Sequence, residues 1–244
     1  VPRELSGWVS NLGELHGLNN IKPQKQIEIQ PYMVGQAETF EKEEGNPFAT
    51  GKKSKLNFGL DGKIGVTNNM TLDFTINPDF GQVEADPSEV NLSAFETFFQ
   101  EQRPFFIEGK SIMEFQTSTG GGPTRNDGLF YSRRIGRRPH YYPELGNGEY
   151  ADVPNQTNIL AAFKLSGKTK SGLSVGVMET ITPEMHAQIS SPNGERKELV
   201  EPLTNYFLAR VQQDYNEGNT SLGGMFTATN RKIENAALEF LPNA

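Results

Sequence analysis

The stretch from Leu56 to Asn77 constrains the fold more than any other part of the chain. Leu56, Phe58, Leu60, Ile64 and Val66 alternate with Asn57, Gly59, Asp61, Lys63 and Gly65. After Thr67-Asn68-Asn69 the alternation resumes, with Met70, Leu72, Phe74 and Ile76 against Thr71, Asp73, Thr75 and Asn77. Successive side chains of a strand point to opposite faces. Two such arms around a short polar turn predict an antiparallel hairpin. One face is apolar; the other carries small, polar and charged groups. The first arm has 11 residues, within the roughly 9–11 that a tilted strand needs to cross a bilayer.

Weaker repeats of the pattern follow. Asn158 to Gly167 and Leu173 to Thr180 flank a polar turn at 168–172, and Asn205 to Gln213 and Ser221 to Thr229 flank another at 214–219. Ile21 to Gly35 reads as a strand in which Pro23 and Pro31 demand an edge or a bulge. Ser111 to Thr117 and Gly128 to Gly136 read as shorter strands, and no helical period of useful length is present beyond a turn or two in Val90 to Phe99. The links then alternate between long (37–53, 80–109, 137–156, 182–202) and short (67–69, 120–127, 168–172, 214–219). Outer-membrane barrels have this rhythm, with short turns on one side and long loops on the other.

The expected fold class is therefore all-β, an antiparallel transmembrane-type β-barrel of which about nine strands are visible. Nine is odd, whereas bacterial single-chain barrels use even numbers. Ala237 to Leu241 reads as the start of a further strand, and an open edge is not viable in lipid. The expected organisation is a lead-in (1–20), then the N-terminal part of a barrel (21–244). Within it, 78–109 folds inward as a plug or constriction.

Composition narrows the function classes. Hydrophobic residues make up 35% of the chain and mean hydropathy is -0.56. No run approaches the roughly 18 apolar residues of a membrane helix, which excludes a helical membrane protein and leaves a barrel open. The absence of cysteine removes disulfides, thiolate metal sites and a cysteine nucleophile. A net charge of -7 argues against non-specific nucleic-acid binding.

Residues 77–109, NPDFGQVEADPSEVNLSAFETFFQEQRPFFIEG, mix six phenylalanines with carboxylates and lack clear alternation. Together with Phe130-Tyr131-Ser132-Arg133-Arg134-Ile135-Gly136 and Trp8-Val9-Ser10-Asn11-Leu12-Gly13-Glu14-Leu15, this run resembles domain of unknown function 5916. The resemblance extends over most of the chain. It implies a predicted outer-membrane β-barrel of Bacteroidetes-type bacteria, usually longer and preceded by a domain resembling carbohydrate-binding family 9, so that 1–20 is expected to be a lead-in from a missing N-terminal domain. It implies no catalytic set.

Chemical motifs are weak. Gly172-Leu173-Ser174-Val175-Gly176 matches a nucleophile pattern that requires a strand-to-helix elbow, yet it follows a hairpin turn and continues as a strand. Small residues facing a lumen explain it better. Ser166-Gly167-Lys168-Thr169 lacks the first glycine of a phosphate loop. His16, His140 and His186 lack metal-ligand spacing. Asp79, Glu84, Asp86 and Glu89 read as a solvated acidic loop before they read as a calcium site. Glu96, Glu101, Glu108 and Glu114 are the carboxylates available for glycoside hydrolysis. Arg133, Arg134, Arg137 and Arg138 form the one basic cluster of note, placed to pair with the acidic 77–109 segment or to oppose it across a constriction.

The leading expectation is an outer-membrane β-barrel, porin- or transporter-like, in the bacterial outer membrane. It handles polar solutes, carbohydrate-derived ones among them, without covalent catalysis or a cofactor. Its lumen or constriction candidates are Asp79, Glu84, Asp86, Glu101, Arg103, Glu108, Arg133, Arg134 and Arg137. Expected partners are outer-membrane lipid, polar solutes or glycans and envelope proteins, but no nucleic acid. The alternative is a secreted or periplasmic β-protein that binds or hydrolyses glycans, with Leu56, Phe58, Met70 and Phe74 in a sandwich core.

Overall fold

The computed structural model describes residues 16–17, 26–78, 99–115, 128–233, 237 and 240–241. Seven strands form one sheet in the order β1 (Ile27–Thr39), β2 (Lys52–Thr67), β3 (Met70–Ile76), β5 (Ala161–Lys168), β6 (Leu173–Thr182), β9 (Thr204–Tyr215) and β10 (Thr220–Arg231). A smaller sheet holds β4 (Tyr150–Asp152), β7 (Met185–Ser191) and β8 (Gly194–Glu201). All ladders are antiparallel. Two one-turn helices, α1 (Pro104–Ile107) and α2 (Lys110–Met113), lie between β3 and β4. The fold is all-β. Among the described residues the large sheet is open, with β1 and β10 at its edges.

The expected hairpin is β2–β3, paired from Leu60 with Ile76 to Thr67 with Met70, with a bulge between Gly65 and Thr67. Pro31 falls in an edge strand, where its missing N–H breaks no ladder. Three expected strands need correction. Ala237, the expected start of a further strand, is helical, its carbonyl accepting from the Leu241 N–H at 2.9 Å. Within Ser111 to Thr117, Ser111–Met113 belongs to α2, after Gly109 turns the chain with φ +65°. Within Gly128 to Gly136, Ser132–Arg134 forms a 3-10 turn. The expected loop at 182–202 contains the β7–β8 hairpin. The rhythm of links in the large sheet survives these changes. Long connections at 40–51, 77–160 and 183–203 alternate with turns at 68–69, 169–172 and 216–219.

Register assigns every side chain of the large sheet to a face. One face carries Ile27, Ile29 and Met33 of β1, Leu56 and Phe58 of β2, and Leu72 and Phe74 of β3. It continues through Phe163, Val175, Val177, Phe207 and Val211 to Leu222 and Phe226 of β10. Ile27, Ile29, Met33, Leu56, Phe58, Leu222 and Phe226 are 57–71% exposed. The opposite face holds Asp73, Thr75, Lys164, Ser166, Ser174, Thr180, Thr182 and Thr204, all buried. The apolar face is thus outward and the polar face inward.

The core accordingly sits on the polar side. Ala162, Met178 and Leu208 of the sheet pack with Phe106, Met113, Ile135 and Ile159 from the long connection. Of the four residues expected in the sandwich core of the alternative reading, Leu56 and Phe58 are exposed on the other face, and Met70 and Phe74 are half-buried. Gly176 makes room for this packing. A Cβ there would lie 2.7 Å from Met113 Sδ, so the small residue is a notch that receives the α2 methionine. Gly176→Val should cost about 1–3 kcal/mol through overpacking. Met113→Ala should recover part of that cost in a double-mutant cycle read by denaturant unfolding.

Candidate functional site

Two polar clusters hold residues 99–115 in place, one against 132–135 and one against the inner face of the sheet. The first is local. Glu101 Oε1 accepts hydrogen bonds from Arg103 Nε (2.8 Å) and from the backbone N–H groups of Gln102 and Arg103 (3.1 and 3.0 Å). Glu101 Oε2 accepts from Arg103 Nη2 (2.8 Å) and Ser132 Oγ (2.5 Å). The guanidinium also donates to the carbonyls of Ile135 (2.6 Å) and Ser132 (2.7 Å) and lies 4.3 Å from the centre of the Phe106 ring. Both side chains are buried. Burial alone would raise the Glu101 carboxyl. The hydrogen bonds and charge of Arg103, with the Ser132 hydroxyl, outweigh that effect and hold it below the usual carboxylate value of 4.5.

The second cluster lies on the sheet itself. Lys164, its side chain 1% exposed, places Nζ 3.5 Å from Asp73 Oδ2. The same ammonium donates to the carbonyls of Glu108 (2.7 Å) and Phe105 and sits 4.6 Å from the centre of the Phe105 ring. Lys63 Nζ is 3.9 Å from Asp73 Oδ1 and pairs directly with Glu108. Arg210 Nη1 donates to the carbonyl of Ile112 (2.7 Å). Alternation along β2, β3, β5 and β9 brings these four charges to one face, and α1–α2 supplies the carbonyls they bind. A buried ion pair breaks even only when its remaining donors and acceptors are also met. Here the backbone of the covering segment meets most of them.

The expected candidates separate. Glu101, Arg103 and Glu108 belong to these clusters. Arg134 lies 6.0 Å from the Tyr131 ring, and Arg137 contacts His140, whose Nδ1 is 2.5 Å from the buried Glu201. The arginine-rich segment meets Glu101 through the Ser132 hydroxyl, and Arg103 through its backbone carbonyls. Asp79, Glu84 and Asp86 lie outside the described residues, as do Glu89 and Glu96. Glu114 pairs with Lys110 at 3.1 Å. Sequence reasoning missed Lys63, Asp73, Lys164 and Arg210 as functional candidates, although alternation already placed Lys63 and Asp73 on the polar face. Ser174 is the second residue of β6, and the chain continues from it as strand, so no strand-to-helix elbow surrounds it. Among the described residues, no three His, Asp or Glu side chains converge as a metal site.

A cleft of about 220 Å³ opens between the inner face of β1–β3 and α1, lined by Glu28, Asp61, Lys63, Asp73, Thr75 and Glu108 among others. A larger one, about 390 Å³, is lined by Phe99, Phe106, Met113, Phe130, Lys164 and Met178 among others. On the long-link side, Arg196 joins Glu149 and Glu198, and Lys53 of β2 reaches Asp152 of β4 at 2.9 Å. The Arg196 hydrogen bonds hold the Glu149 carboxyl down at about 2.

A family model for a domain of unknown function, DUF5916, matches residues 23–236. The chain belongs to the DUF5916 family. The match starts before β1 and ends after β10, so both sheets and the 99–115 segment are family structure. No curated protein and no solved structure matches the chain.

In this DUF5916 fold, Arg103→Ala should destabilise by about 3–5 kcal/mol, because Glu101 is left buried and uncompensated. Denaturant unfolding measures it. The Glu101 carboxyl titrates lower folded than unfolded, so its contribution is complete above pH 4.5. It is lost as pH falls through the folded value. Glu101→Gln should remove that part of the acid slope in unfolding followed against pH.

Proposed function

We propose that the seven-stranded sheet is part of the wall of an outer-membrane β-barrel through which polar solutes pass, with residues 99–115 forming a constriction inside it. The observation that carries this reading is the inversion of polarity: apolar side chains outward across seven strands, buried charges and hydroxyls inward. In water this arrangement forfeits a large hydrophobic gain. Covering a side chain such as Phe58 or Leu222 is worth about 1 kcal/mol or more. Eleven outward residues, Ile27, Ile29, Met33, Leu56, Phe58, Val66, Ile76, Phe163, Val211, Leu222 and Phe226, are at least 42% exposed. Their sum reaches the scale of a domain's net stability, about 5–15 kcal/mol. Hydrocarbon recovers that gain, and an inward polar surface suits a water-filled lumen.

Other features support the same reading. Strand lengths of 10–16 residues in β1, β2, β6, β9 and β10 suffice to span a bilayer. Short turns gather at one end of the sheet and long links at the other, as barrels require. The reading requires β1 and β10 to pair with further strands, because an unpaired edge is not tolerated in lipid. No covalent chemistry is invoked. The inner face selects by charge and by the space that α1 and α2 leave.

Fractionation of the natural protein tests this directly. Recovery in outer membranes, with a faster-migrating band before heating on a gel, supports the barrel. A water-soluble protein without such a shift overturns it and favours a glycan-binding or glycan-cleaving β-protein. Adjacent residues on opposite faces give a sharper contrast. Phe226→Arg should cost about 2–4 kcal/mol of folding into bilayers if the site is near mid-membrane. Thr227→Arg, facing inward, should cost under about 1 kcal/mol.

A further inference from the structure

The cleft between β1–β3 and α1 contains polar atoms that the protein leaves unmet. Thr75 is 2% exposed, and its hydroxyl is buried without a hydrogen-bond partner. Asp73, its side chain 9% exposed, likewise leaves Oδ1 without one, the Lys63 ammonium standing off at 3.9 Å. Both residues line the cleft. Unmet buried polar atoms are costly in a folded protein and usually mark a place where water or a ligand completes the bonding.

Charge decides the kind of ligand. Among the described residues, Glu28, Asp61, Asp73 and Glu108 bring four carboxylates to the cleft, and Lys63 is the one cation lining it. That ammonium is engaged by Glu108 and Asp73, while Lys164, which reaches Asp73 from β5, is committed to the carbonyls of Phe105 and Glu108. The cleft keeps an excess of negative charge and of acceptors. An anion is repelled, and a neutral polyol leaves the excess uncompensated. The carboxylates do not converge as a metal site among the described residues. A compact group with several N–H donors and a positive charge meets all these conditions.

We infer that this cleft binds a small organic cation, an ammonium- or guanidinium-bearing solute, with Asp73 and Thr75 as its buried contacts and Asp61 and Glu28 as its outer ones. The inference deepens the barrel reading and rests on it, since it names the class of solute for the interior of that wall. Carboxylates lining a pore favour cations by the same physics.

The test is calorimetric titration of the detergent-purified natural protein with agmatine, glucose and acetate, alongside the heat-shift gel on the same preparation. Expected is saturable binding of one agmatine, none of glucose or acetate, and at least tenfold weaker binding in Asp61→Asn and Thr75→Val. Asp61 is exposed, so its variant should fold even if a variant of Asp73 does not. Glu149→Gln, in the long-link region, should bind as the parent does. Equal binding of glucose, or agmatine binding unchanged in both variants, overturns the site. A heat shift with no agmatine binding overturns the site and leaves the barrel standing. A soluble protein with no heat shift overturns the barrel, and with it the assignment of the solute's route.

Discussion

A strand has two faces, and in this protein the period of two places the apolar one outward. Every other feature depends on that inversion. The residues that would make a core if turned inward, such as Leu56, Phe58 and Phe226, are exposed. The side that is buried carries threonines, serines, Asp73 and Lys164. A polar surface cannot close on itself by hydrophobic burial, so it must be covered by something that answers its hydrogen bonds. Residues 99–115 do this with backbone carbonyls at Phe105, Glu108 and Ile112, each taken by a cation of the sheet. Two aromatic and aliphatic anchors, Phe106 and Met113, supply the apolar contact.

The covering segment is itself held rigid. Glu101 and Arg103 saturate one another, and the surplus donors of the guanidinium reach across to the carbonyls of Ser132 and Ile135. Such a fully met buried pair fixes geometry more than it adds stability. Its consequence is that two parts of the long connection, near 101 and near 134, are tied to each other. Asp73 Oδ1 and Thr75 Oγ1 are the two unmet buried polar atoms that share a cleft; Thr180 Oγ1, Arg210 Nε and Arg231 Nε are unmet elsewhere on the described inner face.

Much of the large sheet was legible because alternation is strong where one face is uniformly apolar: β2, β3, β5, β6, β9 and β10 lie where the pattern places them. Residues 110–113 were misread because four residues cannot distinguish a period of two from a helical turn. The preceding Gly109 with positive φ is what sets the turn. The β7–β8 hairpin was overlooked although Ala187 and Ile189 alternate with His186, Gln188 and Ser190, and Pro192-Asn193-Gly194 marks a turn. Its small sheet hides those side chains locally, away from the main pattern. Within the site, Glu101, Arg103 and Glu108 were visible as charges. Their partners were not, since Lys63 and Lys164 are far from them in sequence, and so is Ser132, which completes the Arg103–Glu101 pair.

The central claim is that the outward face meets hydrocarbon. The direct measurement replaces the native tryptophans of the natural protein, Trp8 among them, with phenylalanine and places a single tryptophan at Phe226 or at Thr227, in bilayers whose acyl chains carry bromine. The account requires strong quenching at 226 and little at 227. Equal quenching at the two positions, or none at either, would contradict it.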